Sequence, residues 1–258
     1  VAGTYSVDFY MWFNSTGNPQ YVNFEFINGQ PTSVVVDANT STYQEYRVRG
    51  TFVNNLDFSN FPFDNHNLTI EIESKNLQAN QLTFKPDTAN SGTDSSLNLV
   101  GWTLLSSSIQ AANHSYSGNQ SFSRLTFTFD IGRPSVQAFM KDVFPIILIT
   151  AIAMMAFFLP PTRSFERILI GVTTLLAAVQ FNSSLLSQVP PLDYLTIADK
   201  MMITVYALFL YGIAVTILLA KLVDIKDFER ASRLNKKGAV LVPVIAAIFL
   251  GLLLLVGY

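Results

Sequence analysis

Four stretches of this chain carry no charged residue: 143–162, 168–192, 201–220 and 238–258. Each is about 20 residues or longer, enough for a helix rising ~1.5 Å per residue to cross a ~30 Å hydrocarbon core. Half of the chain is hydrophobic and 13% is charged, against roughly 25% charged in soluble domains. Four membrane-spanning helices are therefore predicted, at about 138–159, 165–188, 197–221 and 237–257, making 135–258 a membrane domain behind an N-terminal domain, 1–134.

The connections predict an orientation. The link after the first span carries Arg163 and Arg167 against Glu166, and the link after the third carries Lys221, Lys226, Arg230, Arg233, Lys236 and Lys237 against Asp224, Asp227 and Glu229. Basic links favour the cytoplasmic side. The N-terminal domain and Tyr258 are then outside the cell membrane. An outside N-terminus requires a signal peptide, and the chain starts at Val1 without an initiator methionine, so a processed or truncated chain is expected. Residues 1–138 hold 11 acids and 6 Lys/Arg, a balance that repels nucleic acid and mildly favours cations. There is no cysteine, hence no disulfide and no thiolate site.

The N-terminal domain reads as an antiparallel β-sandwich. Runs rich in β-branched and aromatic residues lie at 5–13, 21–26, 46–53, 68–72, 82–84, 102–109 and 122–131, and Asn/Gly/Ser/Pro clusters at 14–19, 28–31, 90–96 and 113–119 read as the loops between them. Leu68, Ile70 and Ile72 alternate with polar residues, as do Leu125, Phe127 and Phe129. The last strand enters the first span through Gly132, Arg133 and Pro134 with no flexible linker, a stiff junction suited to transmitting movement.

The second span carries a polar stripe. Glu166, Leu169, Thr173, Leu176, Gln180, Ser183 and Ser187 recur at spacings of three and four, so on a helix they share one face. Lipid gives Thr, Gln and Ser no reason to gather there; a water-filled pore does. This points to an ion channel.

Several motifs carry a family resemblance. Phe61-Pro62-Phe63-Asp64, preceded by Leu56-Asp57-Phe58 and followed by Leu68-Thr69-Ile70-Glu71-Ile72-Glu73-Ser74, resembles the signature loop of the pentameric ligand-gated ion channels, the Cys-loop receptor superfamily. Arg133 resembles the arginine before the first span and Pro145 the proline within it. Glu166-Arg167, Leu175-Leu176 and Phe181 resemble the second span, Pro190 the proline after it, and Thr196 to Lys200 the entry to the third. The absent loop cysteines and short cytoplasmic link are similar to prokaryotic members. Against that pattern the chain begins where the family enters its second strand, so the first strand is expected to be missing, with the turn whose acid helps hold the pre-membrane arginine. Asn14-Ser15-Thr16 also stands where the family often has a tryptophan.

The resemblance implies a homopentamer in a lipid bilayer, with second helices around a pore for permeant cations, gated by an unidentified small-molecule agonist. It implies no cofactor and no enzymatic activity, and no catalytic motif occurs in the chain. Glu166 would form a ring of carboxylates at the cytoplasmic mouth that attracts cations; the alternative is a helix-start residue paired to Arg163 or Arg167. Leu176 would form a ring that stops ions by dewetting, with Leu169 as a second constriction; the alternative is a leucine facing lipid or bundle. Gly171 reads as a close-packing glycine and Asn182 as a partner between helices. Phe61, Pro62, Phe63 and Asp64 would press on the 190–194 turn at Pro190, with Asp64 pairing Arg133; the alternative for Arg133 is a surface residue serving topology.

The agonist site is implied between subunits, often as an aromatic cage. Candidates are Tyr10, Trp12, Tyr46, Arg49, Tyr116 and Phe122, each alternatively a plain strand residue. Trp102 reads as sandwich core. His66 and His114 read as surface residues, with no third ligand at metal-site spacing. Sequons stand at Asn14, Asn39, Asn67, Asn113 and Asn119. The rival readings are a non-conducting membrane receptor, an anion-selective channel, which Glu166 opposes, and a secondary transporter, whose midplane charges are absent from these spans.

Overall fold

The computed structural model describes residues 2–15 and 23–255. The chain divides into two compact units. One comprises Val1–Asp57 and Asn65–Arg133; the other comprises Phe58–Asp64 and Pro134–Tyr258.

The first unit contains seven described strands: β1 (Ala2–Asn14), β2 (Phe24–Phe26), β3 (Gly29–Asn39), β4 (Tyr43–Asn55), β5 (Asn65–Ser74), β6 (Thr103–Tyr116) and β7 (Gln120–Gly132). They form two antiparallel sheets, ordered β1-β4-β3 and β2-β5-β7-β6. Alternation dictates the inner faces. Met11 and Phe13 of β1, Val48 and Phe52 of β4, and Ile70 and Ile72 of β5 close a core with Phe84, while Tyr5, Val7, Phe9 and Phe24 pack against it. Phe52 is fully buried and meets Tyr5, Phe9 and Phe26 rings. A Cβ on Gly29 would lie 2.4 Å from the Phe52 ring, so only glycine lets β3 cross there. A polar clasp joins the sheets: Asn28 Nδ2 donates to the Thr69 carbonyl at 2.5 Å, Glu71 N–H donates to Asn28 Oδ1 at 3.0 Å, and Asn54 Nδ2 donates to Thr69 Oγ1 at 2.9 Å.

Several sequence expectations change. β3 falls where a loop was expected to start: Pro31 discourages a strand, yet β3 is an edge strand and its register shifts between Pro31 and Ser33, where proline is tolerated. The expected strand at 82–84 is irregular chain, from which Phe84 still reaches the core. The 113–119 loop shrinks to residues 117–119, with Gly118 at φ 90° and Asn119 at φ 63°, both left-handed as a tight hairpin requires. The expected strand at 21–26 is described only from residue 23, and residues 16–19 of the first loop lie outside the described residues. His66 is buried, because it continues the inward alternation of Leu68, Ile70 and Ile72. Its ring meets the Trp102 ring edge-on, with centroids 5.1 Å apart. Trp102 is half-buried, outside the sandwich core, with the Arg133 guanidinium 4.6 Å from its centroid. His114 is half-buried against Tyr116.

The second unit contains four long helices: α1 (Ser135–Phe158), α2 (Ser164–Leu186), α3 (Ile197–Asp224) and α4 (Phe228–Leu255). Among the described residues α1, α2 and α3 are long and apolar enough to cross a membrane. The fourth predicted span, in the apolar half of α4, falls partly on residues outside the described ones. α4 starts nine residues before the expected 237: Arg230, Arg233, Lys236 and Lys237 belong to the helix, Arg230 and Arg233 pairing Asp227 and Glu229, and only 225–227 links it to α3. Within α1 a π turn, Phe139–Val143, precedes Pro145, which lacks the N–H an unbroken ladder needs.

Candidate functional site

α2 has two opposed faces. Arg167, Thr174, Ala178 and Leu185 are buried, a stripe at spacings of seven, four and seven that turns into the bundle. The seven predicted pore residues are all exposed: Glu166, Leu169, Thr173, Leu176, Gln180, Ser183 and Ser187. At 100° per residue the two stripes lie about half a turn apart. Leu176 is 65% and Leu169 56% exposed, values foreign to a bundle-facing leucine.

Hydrogen bonding sets the chemistry of the exposed face. Thr173 Oγ1 donates to the Leu169 carbonyl at 2.7 Å, Ser183 Oγ to the Val179 carbonyl at 3.2 Å, and Ser187 Oγ to the Ser184 carbonyl at 2.7 Å. Each hydroxyl proton is thus directed back to its own helix. The oxygens keep lone pairs for outside partners, which suits cations or the oxygen-inward shell of hydrated cations.

Glu166 and Arg167 part company. Arg167 is buried, its Nη2 donating to Asn235 Oδ1 at 2.7 Å, and Asn235 Nδ2 donates to the Phe157 carbonyl at 3.0 Å. Glu166 is exposed and forms no ion pair with Arg163 or Arg167 among the described residues. Gly171 is not a tight-packing position: a Cβ there would meet only Ile213 Cγ1, at 3.5 Å. Asn182 is half-buried on the flank of α2, as a residue turned towards a neighbouring helix would be.

The Phe61-Pro62-Phe63-Asp64 loop belongs to the helical unit. Phe61, Pro62 and Asp64 are buried and Phe63 is 38% exposed. The first N–H groups of a helix lack partners within it; here Ile197 and Ala198 donate theirs to the carbonyls of Ser59 and Phe61, at 3.0 and 3.1 Å. Phe58 N–H donates to the Tyr194 hydroxyl at 2.8 Å, and Thr196 with Asp199 completes a capping box. The loop therefore grips the turn at Tyr194 and the start of α3, while Pro190 is exposed. Spacing showed the motif but not these bonds. At the C-terminal end of the second span, Gln188 Nε2 donates to buried Asp142 in the π turn of α1 at 2.9 Å.

The agonist candidates divide between the sheets. Tyr10 is exposed on β1 with the Arg47 guanidinium 5.3 Å from its ring centre. Beside it Asp8 accepts from Arg47 Nη2 at 3.0 Å and Arg49 Nε at 2.8 Å; hydrogen bonds from Arg47, then Arg49, hold its carboxyl down at about 2. Trp12 is half-buried, beside Asp87. Tyr46 is a correction: its ring packs in the core against Phe13 and Phe24, because it shares the inward phase of Val48 and Phe52.

On the second sheet the structure brings Tyr116 and Phe122 together, ring centroids 6.0 Å apart. It adds residues the sequence reading passed over. Arg124 Nε donates to Glu73 Oε1 and its Nη1 to Glu71 Oε2, both at 2.7 Å, and the Tyr116 hydroxyl donates to Glu73 Oε2 at 3.1 Å. Burial, then the bond to Glu73, raises the Tyr116 pKa. Burial works against the Arg124 charge, but Glu73 and Glu71 outweigh it and raise its pKa. Alternation along β5 and β7 already puts Glu71, Glu73 and Arg124 on one outer face; the register that joins them is nonlocal.

No family model matches the chain. Among curated proteins it is similar to the gamma-aminobutyric acid receptor subunit beta-4 of Gallus gallus, 27% identical over 198 residues, 74% of this chain and 38% of that subunit. It is also similar to the human neuronal acetylcholine receptor subunit alpha-10, 26% identical over 168 residues, 65% and 37% of the respective chains. A third relative is the human gamma-aminobutyric acid receptor subunit rho-3, 24% identical over 146 residues, 56% and 31%. The matches span less than two fifths of these relatives. The relatives are receptors, not enzymes.

Proposed function

We propose, with the chain standing in the pentameric ligand-gated ion channel (Cys-loop) superfamily to which its motifs and curated relatives point, that it is a cation-conducting, ligand-gated channel subunit acting as a homopentamer. The observation that carries this reading is the division of α2. Its polar stripe is left uncovered by its own subunit while the opposite face is buried. Five such stripes facing a common axis make a hydrated wall with rings of Leu169 and Leu176 across it. The cation preference rests on Glu166, which has no arginine partner among the described residues, and on the outward lone pairs of Thr173, Ser183 and Ser187.

The N-terminal sandwich lies outside the membrane in this reading, with the C-terminus on the same side. Agonist binds between sandwiches, with Tyr10, Trp12 and Arg49 from one subunit and Tyr116 and Phe122 from the next. Phe61, Pro62, Phe63, Asp64, Arg133 and Pro190 couple binding to the pore; the loop's grip on Tyr194 and the first turn of α3 supports this role. The cysteine-free loop and the short link at 225–227 suit a prokaryotic-type member.

Ion flux through purified Leu176→Ala protein in liposomes, under opposing K⁺ and Cl⁻ gradients, tests the reading without an agonist. The expected result is a K⁺-selective leak absent from wild type. A Cl⁻-selective leak would keep the pore and reverse the charge assignment. No leak from an intact assembly would favour a non-conducting receptor.

A further inference from the structure

The helical unit holds a buried cation whose partners are all neutral. Arg167 is 2% exposed. Its Nη2 donates to the Asn235 side chain, its Nη1 to the Leu159 carbonyl at 3.4 Å, and its guanidinium lies 5.6 Å from the Phe157 ring centre. Its Nε–H is buried and has no hydrogen-bond partner among the described residues. An unmet charged donor in a low-dielectric interior is costly.

Beside it lies a cavity of about 20 Å³, lined among others by Arg167, Gly171, Gly212, Thr216 and Phe157. A water needs roughly 10–15 Å³ on this measure. The glycines leave the space open and are not forced by close helix contact. A Cβ on Gly212 meets nothing within 4 Å, and one on Gly171 meets only Ile213 at van der Waals distance. Thr216 Oγ1 already donates its proton to the Gly212 carbonyl at 2.8 Å, so towards any further partner it acts only as an acceptor.

Two residues of the lining thus carry an unmet donor, on Arg167, and a spare acceptor, on Thr216. A halide would satisfy Arg167 Nε but face the lone pairs of Thr216. An acyl chain would satisfy neither. Water, both acceptor and donor, fits both. We propose that this cavity is a binding site for a single water molecule, held between Arg167 Nε and Thr216 Oγ1. The water joins α2 to α3 as Asn235 joins α2 to α4, and the guanidinium keeps its charge inside an apolar bundle. The inference rests on the helical unit alone and does not depend on conduction.

The test is structure determination of the full chain in lipid, at a resolution that shows ordered water. The expected result in wild type is a spherical peak about 2.7–3.2 Å from both Arg167 Nε and Thr216 Oγ1. Thr216→Ser keeps the hydroxyl and retains the peak; Thr216→Val, near in shape, loses it. Bromide-soaked crystals give no anomalous signal at the site. No peak in wild type, an anomalous bromide peak, elongated density of a lipid or detergent tail, or an unchanged water in Thr216→Val would each overturn the proposal. If the valine variant does not fold, the wild-type, serine and bromide results still decide.

Discussion

The two units solve burial in opposite ways. In the sandwich unit large apolar residues build a core between the sheets: Phe52 and Val48 are fully buried, and aromatic rings meet around them. Two charged clusters on the outer faces are paired there: Asp8, exposed, with Arg47 and Arg49, and Glu73, buried, with Arg124. In the helical unit large apolar residues face outward, among them Phe158 at 88%, Phe165 at 76% and Leu210 at 65%, while Arg167 and Asp142 are buried. A sheet that hides its apolar face expects water on the other side. Helices apolar on their outer surface expect lipid or further helices. The outer stripe of α2 breaks this rule, and water is expected there again.

The largest effect should come from truncating the sandwich core. Phe52→Ala removes a fully buried ring and should cost about 3–5 kcal/mol, measured as a lowered denaturation midpoint of the folded assembly. A cost within 1 kcal/mol would mean the core is not the close-packed unit described. Next comes Arg124→Ala, which leaves Glu73 buried without its cation and should cost about 3 kcal/mol. Arg124→Lys should recover part of the loss, since one ammonium cannot reach both Glu71 and Glu73 as a fork.

What the sequence made legible follows from which signals are local. The α2 stripe was visible because helical period alone decides which residues share a face, and no partner is needed to read it. His66 was misread through its residue type, although stepping back by two from Leu68 already puts it inside. β3 was missed because Pro31 argues against strands in general, while edge position is a property of the whole sheet. The early start of α4 was missed because Arg230 to Lys237 read as a polar link; lysine and arginine are good helix formers. The Glu73–Arg124 pair and the seat of the Phe61–Asp64 loop on α3 depend on register between distant segments, which no window of sequence carries.

Substitutions on the exposed stripe should invert the ordering of the first two predictions: little effect on stability, large effect on function. Leu176→Ala should change stability by no more than about 0.5 kcal/mol because little is buried, while opening the leak described above. Glu166→Gln in that background should lower the K⁺ over Cl⁻ preference of the leak without abolishing it, since the hydroxyl lone pairs remain. An unchanged preference would move selectivity away from this carboxylate.

The smallest effect belongs to the outer face of the first sheet. Asp8 is held at about 2, below its ordinary 3.8, chiefly by hydrogen bonds from Arg47 and then Arg49. A carboxyl with a depressed folded pKa contributes stability that is fully present above its unfolded value, near pH 4, and is lost as pH falls through about 2. Asp8 and its partners are exposed, so solvent screens the contribution. Asp8→Asn should therefore lower the melting temperature only slightly at neutral pH, flatten its decline between about pH 4 and pH 2, and lose its difference from wild type in high salt. A drop at neutral pH as large as that of Arg124→Ala would show that this face is shielded from water in the assembly, and the contrast between a paired outer face and a sealed core would fail where it is now drawn.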